Sequence, residues 1–133
     1  MDTLFLDANV LFSAAYRNNS GILQLWSLAK VKLITSTYAA EEAQRNLREL
    51  EQKERLKKLL SILNVLTVEH NNNLIPEEII LPPKDRPILS AAIAGKATHL
   101  ITGDYKDFGR YYGQRIAGVI VLSPSEYLTG KLP

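Results

Sequence analysis

A chain of 133 residues, 46% of them hydrophobic and with a formal charge of +2, is long enough to bury one sizeable core and is expected to fold as a single domain over residues 1–133. No run approaches the roughly 18 apolar residues of a membrane span, and no basic segment leads into an apolar one at the start, so neither membrane insertion nor export is expected. The lack of cysteine excludes a disulfide framework and a thiolate zinc site and fits the reducing cytoplasm, while so small a charge leaves nucleic-acid binding to be argued from local sites.

The first apolar run, residues 3–6, predicts a buried strand that stops at Asp7. An acid closing an apolar strand gives up hydration unless something cationic meets it. A helix is predicted over residues 21–29, a second strand over 32–35 and a longer helix over 37–50. At about 100° per residue, Ala39, Ala43, Leu47 and Leu50 of that helix fall into one stripe that should face the core. Glu41 points nearly opposite the stripe, whereas Glu42 lies at its margin, where a carboxylate reaches a cleft.

A further helix is predicted over residues 52–63 and a third strand over 65–68. The basic residues Arg45, Arg48, Lys53, Arg55, Lys57 and Lys58 suit phosphates flanking an acidic site. Glu49, Glu51 and Glu54 interrupt them, which suits equally well a solvated helix face with opposite charges four residues apart. Residues 70–85 are rich in Asn and Pro and form the one long irregular connection.

Asp85 precedes a helix over residues 86–96 in which Ile88, Leu89, Ala91, Ala92 and Ile93 leave almost no polar face, so the start of that helix must dock on the body. The fourth strand, 98–101, runs into Asp104, and a helix over 105–112 carries Asp107 in its first turn. A fifth strand over 118–122 and a last turn over 123–128 complete the chain.

Short apolar strands alternating with helices predict an α/β fold on a five-stranded parallel sheet. Ligands bind such sheets at the carboxyl ends of the strands, where Asp7 and Asp104 stand. Asp7, Glu42, Asp85 and Asp104 thus come from different elements that converge on one sheet edge. Converging carboxylates repel one another and ask for a divalent cation, and hard oxygen ligands suit Mg²⁺ or Mn²⁺. One or two such ions activate water and stabilise a phosphodiester during displacement, which predicts metal-dependent phosphodiester hydrolysis. Taken singly, Asp85 and Asp104 also fit helix caps, and Asp107 fits a first-turn acid stabilised by the helix dipole.

Competing chemistry lacks its motifs. There is no Gly-x-x-x-x-Gly-Lys-Ser/Thr phosphate loop and no Gly-x-Ser-x-Gly elbow. A receiver domain would want adjacent acids after the first strand and a Lys after the fifth. A haloacid-dehalogenase-like phosphatase would want Asp-x-Asp where Asn9 stands, and an amide gives no proton. His70 and His99 read as structural.

Three segments carry a resemblance. FLDANVLFSA is similar to the opening strand of the PIN-domain ribonucleases, the family that includes the VapC-like toxins of toxin–antitoxin pairs. STYAAEEAQRNL resembles that family's Ser-led helix with its Glu, and DRPILSAAIAGKATHLITGDYKDF resembles its Asp, helix, strand and Thr-x-Asp segment. The resemblance implies a three-layer α/β/α fold with strand order 3-2-1-4-5 and a ribonuclease dependent on Mg²⁺ or Mn²⁺. It implies metal ligation by Asp7, Asp85 and Asp104, with Glu42 completing the catalytic quartet and Asp107 matching an acid that part of the family uses. By the same comparison Asn9 orients the site and Thr102 presents its hydroxyl near the phosphate or a metal-bound water. RNA is then the substrate, with an antitoxin protein as a partner, and Leu56, Leu59, Leu60 and Leu63 offer a face to that antitoxin or to a second copy. The alternative is a PIN fold kept as a catalytically inactive RNA- or protein-binding module.

Overall fold

The structure is a computed structural model that describes residues 1–130. Strand β1 (Asp2–Leu6) leads into helix α1 (Ala8–Tyr16), and a 3-10 segment (Gly21–Ser27) returns the chain to β2 (Val31–Ser36). Helices α2 (Thr37–Asn46) and α3 (Leu50–Ile62) precede β3 (Asn64–Leu66). After the long connection come α4 (Arg86–Ala94), β4 (His99–Ile101), α5 (Tyr105–Phe108), β5 (Arg115–Ile116), β6 (Val119–Leu122) and α6 (Pro124–Thr129).

The sheet runs β3-β2-β1-β4-β6-β5, and every pairing is parallel except that of β5 with β6. Leu4, Phe5 and Leu6 of β1 are fully buried, as a central strand covered on both faces must be. Strand order reverses beside β1: the chain adds β2 and β3 on one side and β4 and β6 on the other. The crevice between the ends of β1 and β4 is the place where such sheets hold ligands.

The expected five parallel strands are present in the expected order, with β6 as the fifth. A sixth, antiparallel edge strand is added by a two-residue turn in which Ala117 and Gly118 both have positive φ, 49° and 89°. That backbone matches the twist of a tight hairpin, and an Ala-Gly pair is a weak sequence signal for it. Helix α1 was not foreseen, because Asp7 separates two apolar runs and conceals the change from strand to helix. Its buried Val10, Leu11, Ala14 and Ala15 do carry the helical period. Gly21–Ser27 forms a 3-10 segment where a helix over 21–29 is expected.

The helix expected over 37–50 ends at Asn46, and Glu49 with Gln52 forms a reciprocal capping box that starts α3. Leu50 therefore leaves the core stripe and is 74% exposed, while Ala39, Ala43 and Leu47 are buried as expected. Leu56 and Leu63 are spent in the chain's own core, with Leu59 and Leu60 packed against it. Among the described residues, no helix is long and apolar enough to cross a membrane.

Candidate metal centre

The end of β1 is stitched to the end of β4. One oxygen of Asp7 accepts the Ala8 N–H at 2.6 Å, and the other accepts the Thr102 hydroxyl at 2.7 Å and the Asn9 side-chain amide at 3.1 Å. The Asn9 carbonyl oxygen accepts the Gly103 N–H at 2.7 Å. Asn9 thus bridges the two strand ends instead of capping its own helix. Thr102 is fully buried, and its hydroxyl also accepts the Asp104 N–H at 3.1 Å. The Thr102 hydroxyl is thus directed at Asp7, whose carboxylate it fixes.

Asp85, Asp104 and Asp107 each offer a carboxylate oxygen, and these oxygens lie within 4.8 Å of one another. Asp104 accepts the Asp107 N–H at 3.1 Å, so it caps α5 and aligns the next acid one turn on. Asp85 occupies the cap position of α4, yet its side chain makes no capping hydrogen bond. Its Oδ2 is sealed from solvent and has no hydrogen-bond partner. The helix-cap account therefore suits Asp7 and Asp104 and fails for Asp85.

These acids line a cleft of about 460 Å³ together with Asn9, Glu42, Pro82, Lys84 and Lys106. Glu42 lines it, whereas Glu41 is exposed, as the stripe on α2 requires. The Tyr38 hydroxyl donates to the Lys84 carbonyl at 2.8 Å and fastens α2 to the segment that delivers Asp85.

The electrostatics follow from burial. Loss of solvent pushes the Asp7 carboxyl up to about 6; the bonds from Thr102 and Ala8 oppose this, and the charges of Glu42 and Asp104 add to it. Asp85 is raised too, first by burial, then by a hydrogen bond with the Asp107 carboxyl and by the charge of Asp104, with Lys84 acting against them. A hard divalent cation answers both demands, since it neutralises the cluster and gives the unpartnered Asp85 oxygen an electropositive neighbour. By donor type, the residues present fit Mg²⁺ or Mn²⁺.

Lys84 and Lys106 are the cleft residues that the sequence reading missed. Each is adjacent to a predicted acid but isolated in the sequence, whereas the basic residues between 45 and 58 are dense. None of Arg45, Arg48, Lys53 or Arg55 lines the cleft itself. Arg55 donates to the carbonyls of Ala15 and Tyr16 at 2.9 and 3.0 Å, closing the end of α1. Arg45 is near enough to Tyr38 to act on its hydroxyl electrostatically, and Lys53 lies beside Leu50, Leu56 and Leu60 on another face. His99 is buried against Thr98 and Tyr127, and His70 pairs with Ser90.

A family model described as PIN domain matches residues 3–106, which is most of the chain. The chain belongs to the PIN-domain family. The PIN match takes in Asp7, Glu42, Asp85 and Asp104 and stops one residue short of Asp107, whose place in the cluster rests on geometry. Solved structures of the same fold include VapBC2 from Rickettsia felis bound to a promoter DNA fragment, at 20% identity and a TM-score of 0.68, covering 91% of this chain and 98% of that one. A toxin-antitoxin complex from Klebsiella pneumoniae matches at 21% and 0.65, covering 88% and 95%. VapC20 of Mycobacterium tuberculosis, described as a sarcin-ricin loop cleaving toxin, matches at 14% and 0.55, covering 77% and 92%. No curated protein matches the chain in sequence.

Proposed function

We propose that this PIN-domain protein is an endoribonuclease dependent on Mg²⁺ or Mn²⁺, acting in the cytoplasm as the toxin of a toxin–antitoxin pair. The observation that carries the reading is the buried, unpartnered oxygen of Asp85 within a cluster of carboxylates at the sheet's switch point. Asp85, Asp104 and Asp107, with Asp7 beside them, would hold the cation, and Glu42 flanks it. When bound, such a cation lowers the pKa of a coordinated water and offsets charge on the phosphate oxygens.

The chain's own residues do the rest. Thr102 and Asn9 hold Asp7 in one orientation, as the partners of metal-binding carboxylates commonly do. Lys84 and Lys106 oppose the acids on the cleft wall and favour entry of an anionic phosphodiester. The toxin assignment draws support from the neighbours, one of which is a toxin–antitoxin complex by name and one a cleaving toxin.

The test is incubation of purified protein with RNA in EDTA, Mg²⁺ or Mn²⁺, beside the Asp104→Asn variant. Cleavage is expected only with metal. Asn keeps the capping bond to Asp107, so the variant should keep its circular dichroism spectrum. It should lose more activity than the roughly ten- to hundredfold that residues merely orienting a metal ligand cost. Undiminished cleavage by Asp104→Asn would overturn the site, and RNA left uncut by a protein that binds Mn²⁺ would reduce it to a binding module.

A further inference from the structure

Tyr105 follows Asp104 directly and is 77% exposed, more than any other aromatic among the described residues. Its chain neighbours Asp104 and Lys106 both line the acidic cleft and Tyr105 itself does not, so the backbone of Tyr105 runs along the cleft's border while its ring packs toward Gly109 and Tyr112. The ring is supported although it is exposed. A Cβ at Gly109 would come within 2.9 Å of it, and the Tyr112 ring lies 6.2 Å away, tilted by 59°. Tyr112 is itself tethered, because its hydroxyl donates to the Thr102 carbonyl at 2.7 Å. Tyr105 therefore rests on a side-chain-free residue and a second aromatic that is fixed to the end of β4.

We propose that Tyr105 is a stacking platform for a nucleobase next to the scissile phosphate, a substrate-positioning role that rests on the nuclease reading above. An unpaired base offers a flat π-face whatever its identity, and an aromatic side chain binds it without reading sequence. Lys106, one residue on, supplies the cation that the same nucleotide's phosphate needs. A ring held from below loses little freedom when a base settles on it. The position beside Asp104 couples stacking to the register of the phosphate at the cluster.

The experiment compares wild type, Tyr105→Ala and Tyr105→Phe on a short single-stranded RNA carrying 2-aminopurine. Steady-state cleavage is measured with Mn²⁺, and fluorescence on binding is measured in EDTA. Tyr105→Ala is expected to raise KM about tenfold or more, to change kcat less, and to remove the quenching of 2-aminopurine. Tyr105→Phe keeps both properties, because stacking needs the ring and not the hydroxyl. Gly109→Ala is a second probe: its backbone is helical, φ −56° and ψ −35°, so alanine suits the chain but displaces the ring. It should raise KM in wild type and have no further effect beside Tyr105→Ala. RNA that wild type leaves uncut overturns the nuclease reading. RNA that wild type cuts and Tyr105→Ala cuts with the same KM, or a Tyr105→Phe as impaired as Tyr105→Ala, overturns the platform alone.

Discussion

Asp7 and Asp85 are both buried acids with raised pKa values, but their surroundings set different consequences for neutralising them. Asp7 accepts from three donors, the Ala8 N–H, the Thr102 hydroxyl and the Asn9 amide. An asparagine there turns an N–H toward at least one of them, and a buried donor left unpaired costs about 1–3 kcal/mol. Asp85 has an oxygen with no partner at all, next to two other carboxylates. An amide in its place removes one of the repelling charges and becomes a donor to its neighbours. Asp85→Asn is therefore expected to raise the melting temperature in EDTA by several degrees, about 1 kcal/mol for a domain of this size. Asp7→Asn should raise it less or lower it. Thermal unfolding of both variants in EDTA checks the order, and a greater gain for Asp7→Asn contradicts it. The sequence placed both acids correctly because each ends or precedes an apolar element. It held no sign of which oxygen lacks a partner, since that depends on Thr102 and Asn9 meeting across two strands that are far apart in the chain.

At the scale of the helices, period decided some questions and left others open. On α2 the buried Ala39 and Ala43 fix the rotation, and the same rotation turns Glu42 into the cleft and Glu41 to solvent. Glu42→Gln should accordingly impair metal-dependent cleavage well beyond Glu41→Gln; equal losses would show that the cleft reads neither carboxylate. Period could not reveal where α2 stops, because the capping box at Glu49 and Gln52 lies inside a stretch that looks continuously helical. It also could not separate basic residues by destination. Arg55 sits on the same run as the other cations, but it satisfies the last carbonyls of α1, where a cation also suits the negative end of the helix dipole. Arg55→Ala is expected to lower stability in urea by about 1–2 kcal/mol and to leave RNA affinity unchanged. Lys84→Ala and Lys106→Ala should do the opposite, weakening RNA binding with little effect on unfolding. An Arg55→Ala that unfolds like wild type but loses RNA would return that residue to the substrate surface.

Across the whole molecule, the acids arrive from the ends of β1 and β4, from α2 and from the starts of α4 and α5, so the cluster exists only when the sheet is assembled. Protons and metal therefore both act on folding. In metal-free protein the folded state holds protons on Asp7, with its carboxyl near 6, and on the raised Asp85, at pH values where the unfolded chain has released them. The native state binds more protons than the unfolded state, so this contribution to stability falls as pH rises from about 4, through about 6 for Asp7 and about 7 for Asp85, and levels off only above that. Asp7 alone corresponds to roughly 3 kcal/mol, an upper figure because its shift of about two units converts at 1.36 kcal/mol each. A divalent cation reverses the trend, since it competes with those protons and binds only the folded cluster. In EDTA the melting temperature is expected to fall between about pH 5 and about pH 8. The gap between melts in excess Mn²⁺ and melts in EDTA should widen over the same range. Asp85→Asn should flatten the EDTA curve and narrow the gap at the higher pH, because it removes one titrating group and one ligand charge together. An EDTA curve that rises with pH in wild type, or a Mn²⁺ gap that does not grow, would mean that these carboxylates are ionised without metal and that the cluster is not what links the cation to the fold.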